Sequence, residues 1–203
     1  MFEFFVNQYK NASITQISLE SLAFIFGIVS VFFAKKENIL VYPTGIISTI
    51  ITIYLMYQAN YFGDMTMNFY YTIMSFYGWY LWNKKTSQAN LEISRTSSQE
   101  KKIGFVLFLF TMIFTYFVYV FFDTKLEIPN YIDIFTSGMF FTAMWFMAKK
   151  KIENWSLWII ADLIAVPLFA YRGLGMMALQ YFIFTILAIM AYKEWNTILA
   201  KKS

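Results

Sequence analysis

Seven apolar runs divide this chain, and they constrain everything else about it. They lie at about 17–34, 38–57, 65–82, 103–122, 132–148, 155–171 and 174–192. At a rise of about 1.5 Å per residue, each can cross or nearly cross a hydrocarbon layer about 30 Å thick. Lipid offers the backbone no water, so a spanning segment must satisfy its own hydrogen bonds, and all seven are expected as helices. The fold class is therefore an all-α integral membrane protein with seven transmembrane helices, read as a single membrane domain over 1–203. With 59% hydrophobic and only 14% charged residues, the chain lies outside the range of ordinary soluble domains. Residues 1–16 are too polar for a secretory leader, so none is expected.

Charge alternates between the connections. Lys35, Lys36, Lys84, Lys85, Arg95, Lys101, Lys102, Lys149, Lys150, Lys151, Lys193, Lys201 and Lys202 fall on one side, and only Lys10, Lys125 and Arg172 on the other. The lysine-rich side is expected to be cytoplasmic, with the N-terminus outside and the C-terminus inside. The same distribution explains the net charge of +4 as a topology signal, so no nucleic-acid partner is expected. Trp82, Trp195, Tyr192 and Tyr42 fall near span ends, where interfacial aromatics sit. The long polar stretch 83–102 reads as a mobile cytoplasmic loop.

The order of signals recurs. Ala34-Lys35-Lys36 ends span one and Ala148-Lys149-Lys150 ends span five, while Trp82 closes span three and Trp195 closes span seven. Spans 17–82 and 132–192 thus read as two three-helix bundles. Span 103–122 is the linker helix between them. One extra crossing leaves both bundles in the same orientation, a plan that some transporters use.

Candidate chemistry concentrates in few residues. Trp155, Trp158 and Asp162 are spaced i, i+3 and i+7, one face of a helix. Two indoles beside an acid suit a flat organic cation. An acid that deep in lipid is costly unless it meets a cavity, a proton or a cation. A plain helix–helix hydrogen bond from a neutral acid is the competing reading for Asp162, and an aromatic belt is the competing reading for Trp155 and the deeper Trp158. In span three, Asp64, Asn68, Tyr71, Ser75 and Gly78 form one stripe. Its amide at Asn68 is either interhelical glue or a ligand contact. Gln180 and Tyr181 add polar groups to span seven, and Pro43, Gly45, Ser48, Thr49, Thr52 and Tyr54 give span two a polar side. Pro167 interrupts the hydrogen bonding of span six.

Several classes drop out. There is no histidine or cysteine for metal, thiol or imidazole chemistry, and no phosphate-binding loop. Span seven holds no internal lysine for a retinal Schiff base, and no paired intramembrane carboxylates suggest hydrolysis. Neither a cofactor nor an enzymatic activity is expected.

Glu153-Asn154-Trp155-x-x-Trp158 and Tyr77-Gly78-Trp79-x-x-Trp82, with Pro43-x-Gly45-Ile46-Ile47-Ser48 and Gly63-Asp64, give the chain a specific likeness. It resembles the Pnu-type bacterial vitamin transporters, the nicotinamide riboside transporter PnuC family, from about residue 17 to 195. The resemblance implies a 3+1+3, SWEET-like arrangement and a homotrimer in the bacterial inner membrane. It also implies facilitated diffusion of a vitamin precursor, most simply nicotinamide riboside, trapped inside by a cytoplasmic kinase. Thiamine is the alternative cargo. An amide at Asn68 fits the family, and position 162 takes either an acid or an amide. The candidate substrate-binding set is Trp155, Trp158, Asp162, Asn68, Tyr71, Gln180, Tyr181 and Asn154. Outside that class, two other readings are open: a proton-coupled transporter using Asp162, and a non-transporting receptor or scaffold.

Overall fold

A computed structural model describes residues 12–58, 62–84, 91–122 and 125–201, without the side chains of 62–64. Within them the chain forms seven helices: α1 (Ile14–Lys35), α2 (Val41–Gln58), α3 (Phe62–Asn83), α4 (Ser98–Phe121), α5 (Ile128–Ala148), α6 (Glu153–Tyr171) and α7 (Gly175–Ala200). The protein is a multi-pass, all-helical membrane protein. Four helices, α1, α4, α6 and α7, are long and apolar enough by themselves to cross a bilayer. Helices α2, α3 and α5 are more polar because they carry hydroxyls and amides such as Ser48, Thr49, Asn68 and Thr142. Gly63, Asp64, Lys10, Lys85 and Lys202, which enter the sequence reading, lie outside the described backbone or side chains.

Local signals set the ends. Ser13 caps α1 by accepting from the Gln16 amide at 3.1 Å. Ser97 and Glu100 form a reciprocal capping box at the start of α4. Pro43 falls in the first turn of α2 and Pro129 in that of α5, where a missing N–H costs little.

Helix α1 packs on α2 and α2 on α3. Likewise α5 packs on α6 and α6 on α7. The ring closes because α7 lies against α1 and α3 against α5. Helix α4 sits outside, held mainly by α5. Its outer face leaves Phe105, Val106, Phe110 and Phe117 about 60% exposed, as a lipid-facing helix should. Its inner face depends on glycine. A Cβ on Gly104 would lie 2.7 Å from Phe146, and one on Gly138 would lie 2.8 Å from Phe108. These close approaches are the membrane use of small residues.

The structure places the internal recurrence at an offset of 113 residues. Trp82 donates its indole N–H to the Ala148 carbonyl at 3.2 Å, and Trp195 donates to the Lys35 carbonyl at 3.1 Å. Each tryptophan also meets an edge-on ring at the same relative place: Tyr42 against Trp82 at 5.1 Å, Trp155 against Trp195 at 5.4 Å. Glu37 and Lys150, the two non-glycine residues with positive φ among the described residues, are equivalent by the same offset, and they form an ion pair at 3.0 Å. Alignment on the Ala-Lys-Lys motif alone is therefore one residue out.

These contacts correct the interfacial reading of Tyr42 and Trp195. Both are fully buried at the lysine-rich end and serve as joints between helices. The tightest joint is Gly78, where an added Cβ would sit 2.4 Å from the Tyr42 ring. Gly78→Ala should cost about 1–3 kcal/mol through forced repacking, read as a lower midpoint of thermal unfolding in detergent. An unchanged midpoint would show that Tyr42 has room to move.

Of the 83–102 stretch, residues 85–90 lie outside the described residues, and the reading of 91–102 as a mobile loop is corrected. Helix α4 claims 98–102, and Ile93 is buried in the core of the lysine-rich end. Ser94 pairs with the α5–α6 turn, accepting from Ile152 N at 3.0 Å and donating to Lys150 O at 3.1 Å. Glu153 accepts from Thr96 N, and Glu100 bridges Lys151 at 3.0 Å. One buried isoleucine plus a helix cap are enough to dock a segment whose composition reads as linker.

Candidate functional site

The ring of six helices lines a cavity of about 210 Å³. That is many times the roughly 10–15 Å³ that one water requires. Its floor, at the lysine-rich end, is Tyr42 from α2 and Trp155 from α6. Trp155 is 2% exposed and held edge-on by Trp195, so it is no interfacial aromatic.

Helix α6 presents Trp155, Trp158 and Asp162 to the cavity, and α3 presents Asn68, Tyr71 and Ser75 with the same i, i+3, i+7 spacing. Helix α7 adds Gln180 and Tyr181. Seven of the eight sequence candidates thus converge on one space. Asn154 does not. It is fully buried in the first turn of α6, and its amide donates to the Lys151 carbonyl at 2.5 Å. It shares a face with Trp158 but lies one turn nearer the helix start. Its short amide is turned onto the Lys151 carbonyl, whereas the ring of the next residue, Trp155, reaches the cavity.

The equivalence by 113 residues exposes a division of labour. On α1 to α3 the wall carries Ser30, Ser48, Thr49 and Thr52; the equivalent positions on α5 and α6 are Ala143, Ala161, Asp162 and Ala165. Conversely, Gly27 of the first half corresponds to Phe140, and Asn68 to Tyr181. One wall is rich in hydroxyls and the other in aromatic rings, with the acid on the aromatic side.

The hydroxyl wall is internally ordered. Ser30 donates to Val41 O and Ser48 to Ala23 O, each at 2.8 Å, and the Thr49 and Thr72 hydroxyls lie 2.7 Å apart. A hydroxyl that donates inward still offers lone pairs outward. On the aromatic wall, Trp158 lies 5.4 Å from Phe140 and 6.4 Å from Tyr71. The Trp158 indole N–H and Asp162 Oδ1 are buried without a hydrogen-bond partner among the described residues. Asp162 is 1% exposed and makes no ion pair there. Buried polar atoms in native proteins are normally satisfied, so this donor and this acceptor are poised for something that enters the cavity. Among the described residues no three His, Cys, Asp or Glu side chains gather to hold a metal ion.

Phe140, Phe184 and Tyr42 are cavity residues that the polar-stripe reading does not single out. The repeat is the signal that finds two of them: Phe184 is the equivalent of Tyr71 and Tyr42 of Trp155.

Residues 17–197 match the family described as nicotinamide mononucleotide transporter. The chain is similar to the nicotinamide riboside transporter PnuC of Escherichia coli (strain K12), with 25% identity over 201 residues, covering 87% of this chain and 84% of that protein. It is also similar to the riboflavin/roseoflavin transporter RibM of Streptomyces davaonensis, at 21% identity over 84% of this chain and 81% of that protein. A crystal structure of the vitamin B3 transporter PnuC superposes with a TM-score of 0.72 at 21% identity, covering 91% of this chain and 83% of that one, which shows the shared fold.

Proposed function

The chain belongs to the nicotinamide mononucleotide transporter family, and from that premise we propose that it carries nicotinamide riboside across a bacterial inner membrane by facilitated diffusion. The observation that carries this reading is that Asp162 Oδ1 and the Trp158 N–H, both without a hydrogen-bond partner among the described residues, belong to residues on the aromatic wall of the cavity. A pyridinium ring placed there gains an indole face and a counter-charge. Its ribose then meets the hydroxyl wall of Ser30, Ser48 and Thr49, with Asn68, Tyr71, Gln180 and Tyr181 around it. Trp155 forms the floor.

In this reading the helices are two parallel three-helix bundles joined by α4, a 3+1+3, SWEET-like plan, which the equivalence by 113 residues supports. Rocking of one bundle against the other would expose the cavity alternately to the two sides. The lysine-rich end faces the cytoplasm, where a kinase traps the cargo, and the assembly is a homotrimer. Thiamine carries a thiazolium cation and would use the same acid and indoles, so it is the second cargo to test.

The test is calorimetric binding of nicotinamide riboside and thiamine to the purified protein, followed by uptake into proteoliposomes. Expected is binding of nicotinamide riboside, and uptake that stops at equal concentrations inside and out. Tight binding of thiamine alone would transfer the reading to that vitamin. Accumulation against a gradient without a kinase would refute facilitated diffusion and favour proton coupling through Asp162. Binding of neither, with no solute flux, would favour a receptor or scaffold.

A further inference from the structure

We infer that Phe140 is the residue that limits the aromatic part of the cargo to a single ring, an inference that rests on the proposed nicotinamide riboside site. Phe140 comes from α5, is 6% exposed and lines the cavity. It is an inner member of a run of rings that ends in the cavity wall. Trp158 lies 5.4 Å from it, and Tyr181 lies 5.7 Å from it at an interplanar angle of 24°. Tyr181 in turn stacks on Phe169 at 5.0 Å and 4°.

Rings at these separations are in direct contact. To slip another flat ring between two stacked rings takes about 7–8 Å, two carbon contact distances. No gap in this run is that wide, so a ligand ring can lie on the cluster's cavity face but cannot enter it. Removing the Phe140 ring changes that, because it leaves a space bordered by the Trp158 and Tyr181 rings. That space adjoins the cavity and has aromatic neighbours. It would extend the flat part of the site sideways, as a fused-ring ligand needs.

The first half of the chain shows that a ring at this place is a choice and no requirement of the fold. The equivalent residue of α1 is Gly27. Its neighbourhood offers no alternative route to a larger site. An added Cβ there would already touch Gln180 Nε2 and Ser48 Oγ at 3.2 Å and Phe184 Cζ at 3.4 Å. The cavity is thus bounded by side-chain tips on the Gly27 side and by one whole ring on the Phe140 side. The second is the larger volume that a single substitution can release.

Riboflavin is the probe, since it joins a flat three-ring system to a hydroxyl chain. Its binding and that of nicotinamide riboside are measured on the purified full chain, on Phe140→Ala and on Phe140→Leu, with monodispersity in detergent as the folding control. Wild type is expected to prefer nicotinamide riboside by about 100-fold or more, and Phe140→Ala to narrow that ratio by about tenfold or more through gained riboflavin binding. Phe140→Leu, which keeps more bulk, should shift the ratio in the same direction by less. Equal binding of both ligands by wild type would overturn the inference. So would an unchanged ratio in variants that still bind nicotinamide riboside. Loss of both ligands in both variants would overturn it too, by making Phe140 a packing residue only. Wild type that binds neither ligand would instead overturn the proposed function beneath it.

Discussion

Asp162→Asn should weaken binding of nicotinamide riboside by about 30-fold or more, while its neutral dihydro form binds nearly as before. Asp162 is 1% exposed, has an unpartnered oxygen and makes no ion pair among the described residues. An ionised acid in such a place costs several kcal/mol until a cation arrives. The pyridinium supplies that cation, and truncating one member of a buried charge pair typically costs about 2–5 kcal/mol. Asparagine keeps the shape and one acceptor oxygen while it removes the charge and turns the other oxygen into an N–H donor. The dihydro form has the same substituents and the same ribose without the positive ring. Calorimetry with both ligands therefore separates electrostatics from packing. Equal weakening of both would show that Asp162 shapes the cavity and does not neutralise the cargo. The equivalent position of the first bundle is Thr49, which hydrogen-bonds Thr72, so no second acid takes over the role there.

Trp158→Ala should be at least as damaging, with binding reduced by about 100-fold. The indole contributes a face for the cation, an N–H without a partner among the described residues, and part of the ring run through Phe140. Trp158→Phe divides these contributions. It keeps a ring face and removes the donor, so a loss of only about tenfold is expected, the worth of one hydrogen bond in a dry site. If Trp158→Phe equals Trp158→Ala, the donor dominates and the ring face matters little. If neither variant weakens binding while both stay folded, the aromatic wall is structural and the cargo lies against the hydroxyl wall alone.

Much of the site was legible because helical periodicity is strict. Spacing alone puts Trp155, Trp158 and Asp162 on one face, and it puts Asn68, Tyr71 and Ser75 on another. Asn154 shows the limit of that reasoning. It shares the Trp158 face, yet it lies in the first turn of α6 with its amide on the Lys151 carbonyl. Periodicity reports direction around a helix and says nothing about side-chain reach or local partners: the Trp155 ring, one residue on, reaches the cavity and the short Asn154 amide does not. Phe140 shows a different limit. A phenylalanine in an apolar run carries no chemical signal, and only its neighbours turn it into a wall.

The chain's amino-acid order by itself determined a helical membrane protein with a recurrent plan and one acidic, aromatic helix face. It could do so because hydrocarbon forces each spanning backbone to bond within itself, and because a buried acid is too costly to be incidental. The tertiary structure alone decided the rest. It set the recurrence at 113 residues through reciprocal Trp–carbonyl bonds, placed α4 outside the ring, docked 91–97 on the α5–α6 turn, and turned Tyr42 and Trp195 inward. Each of these depends on which helix faces which, and at what height. Those contacts join residues far apart in the chain, so no local pattern of hydrophobicity encodes them.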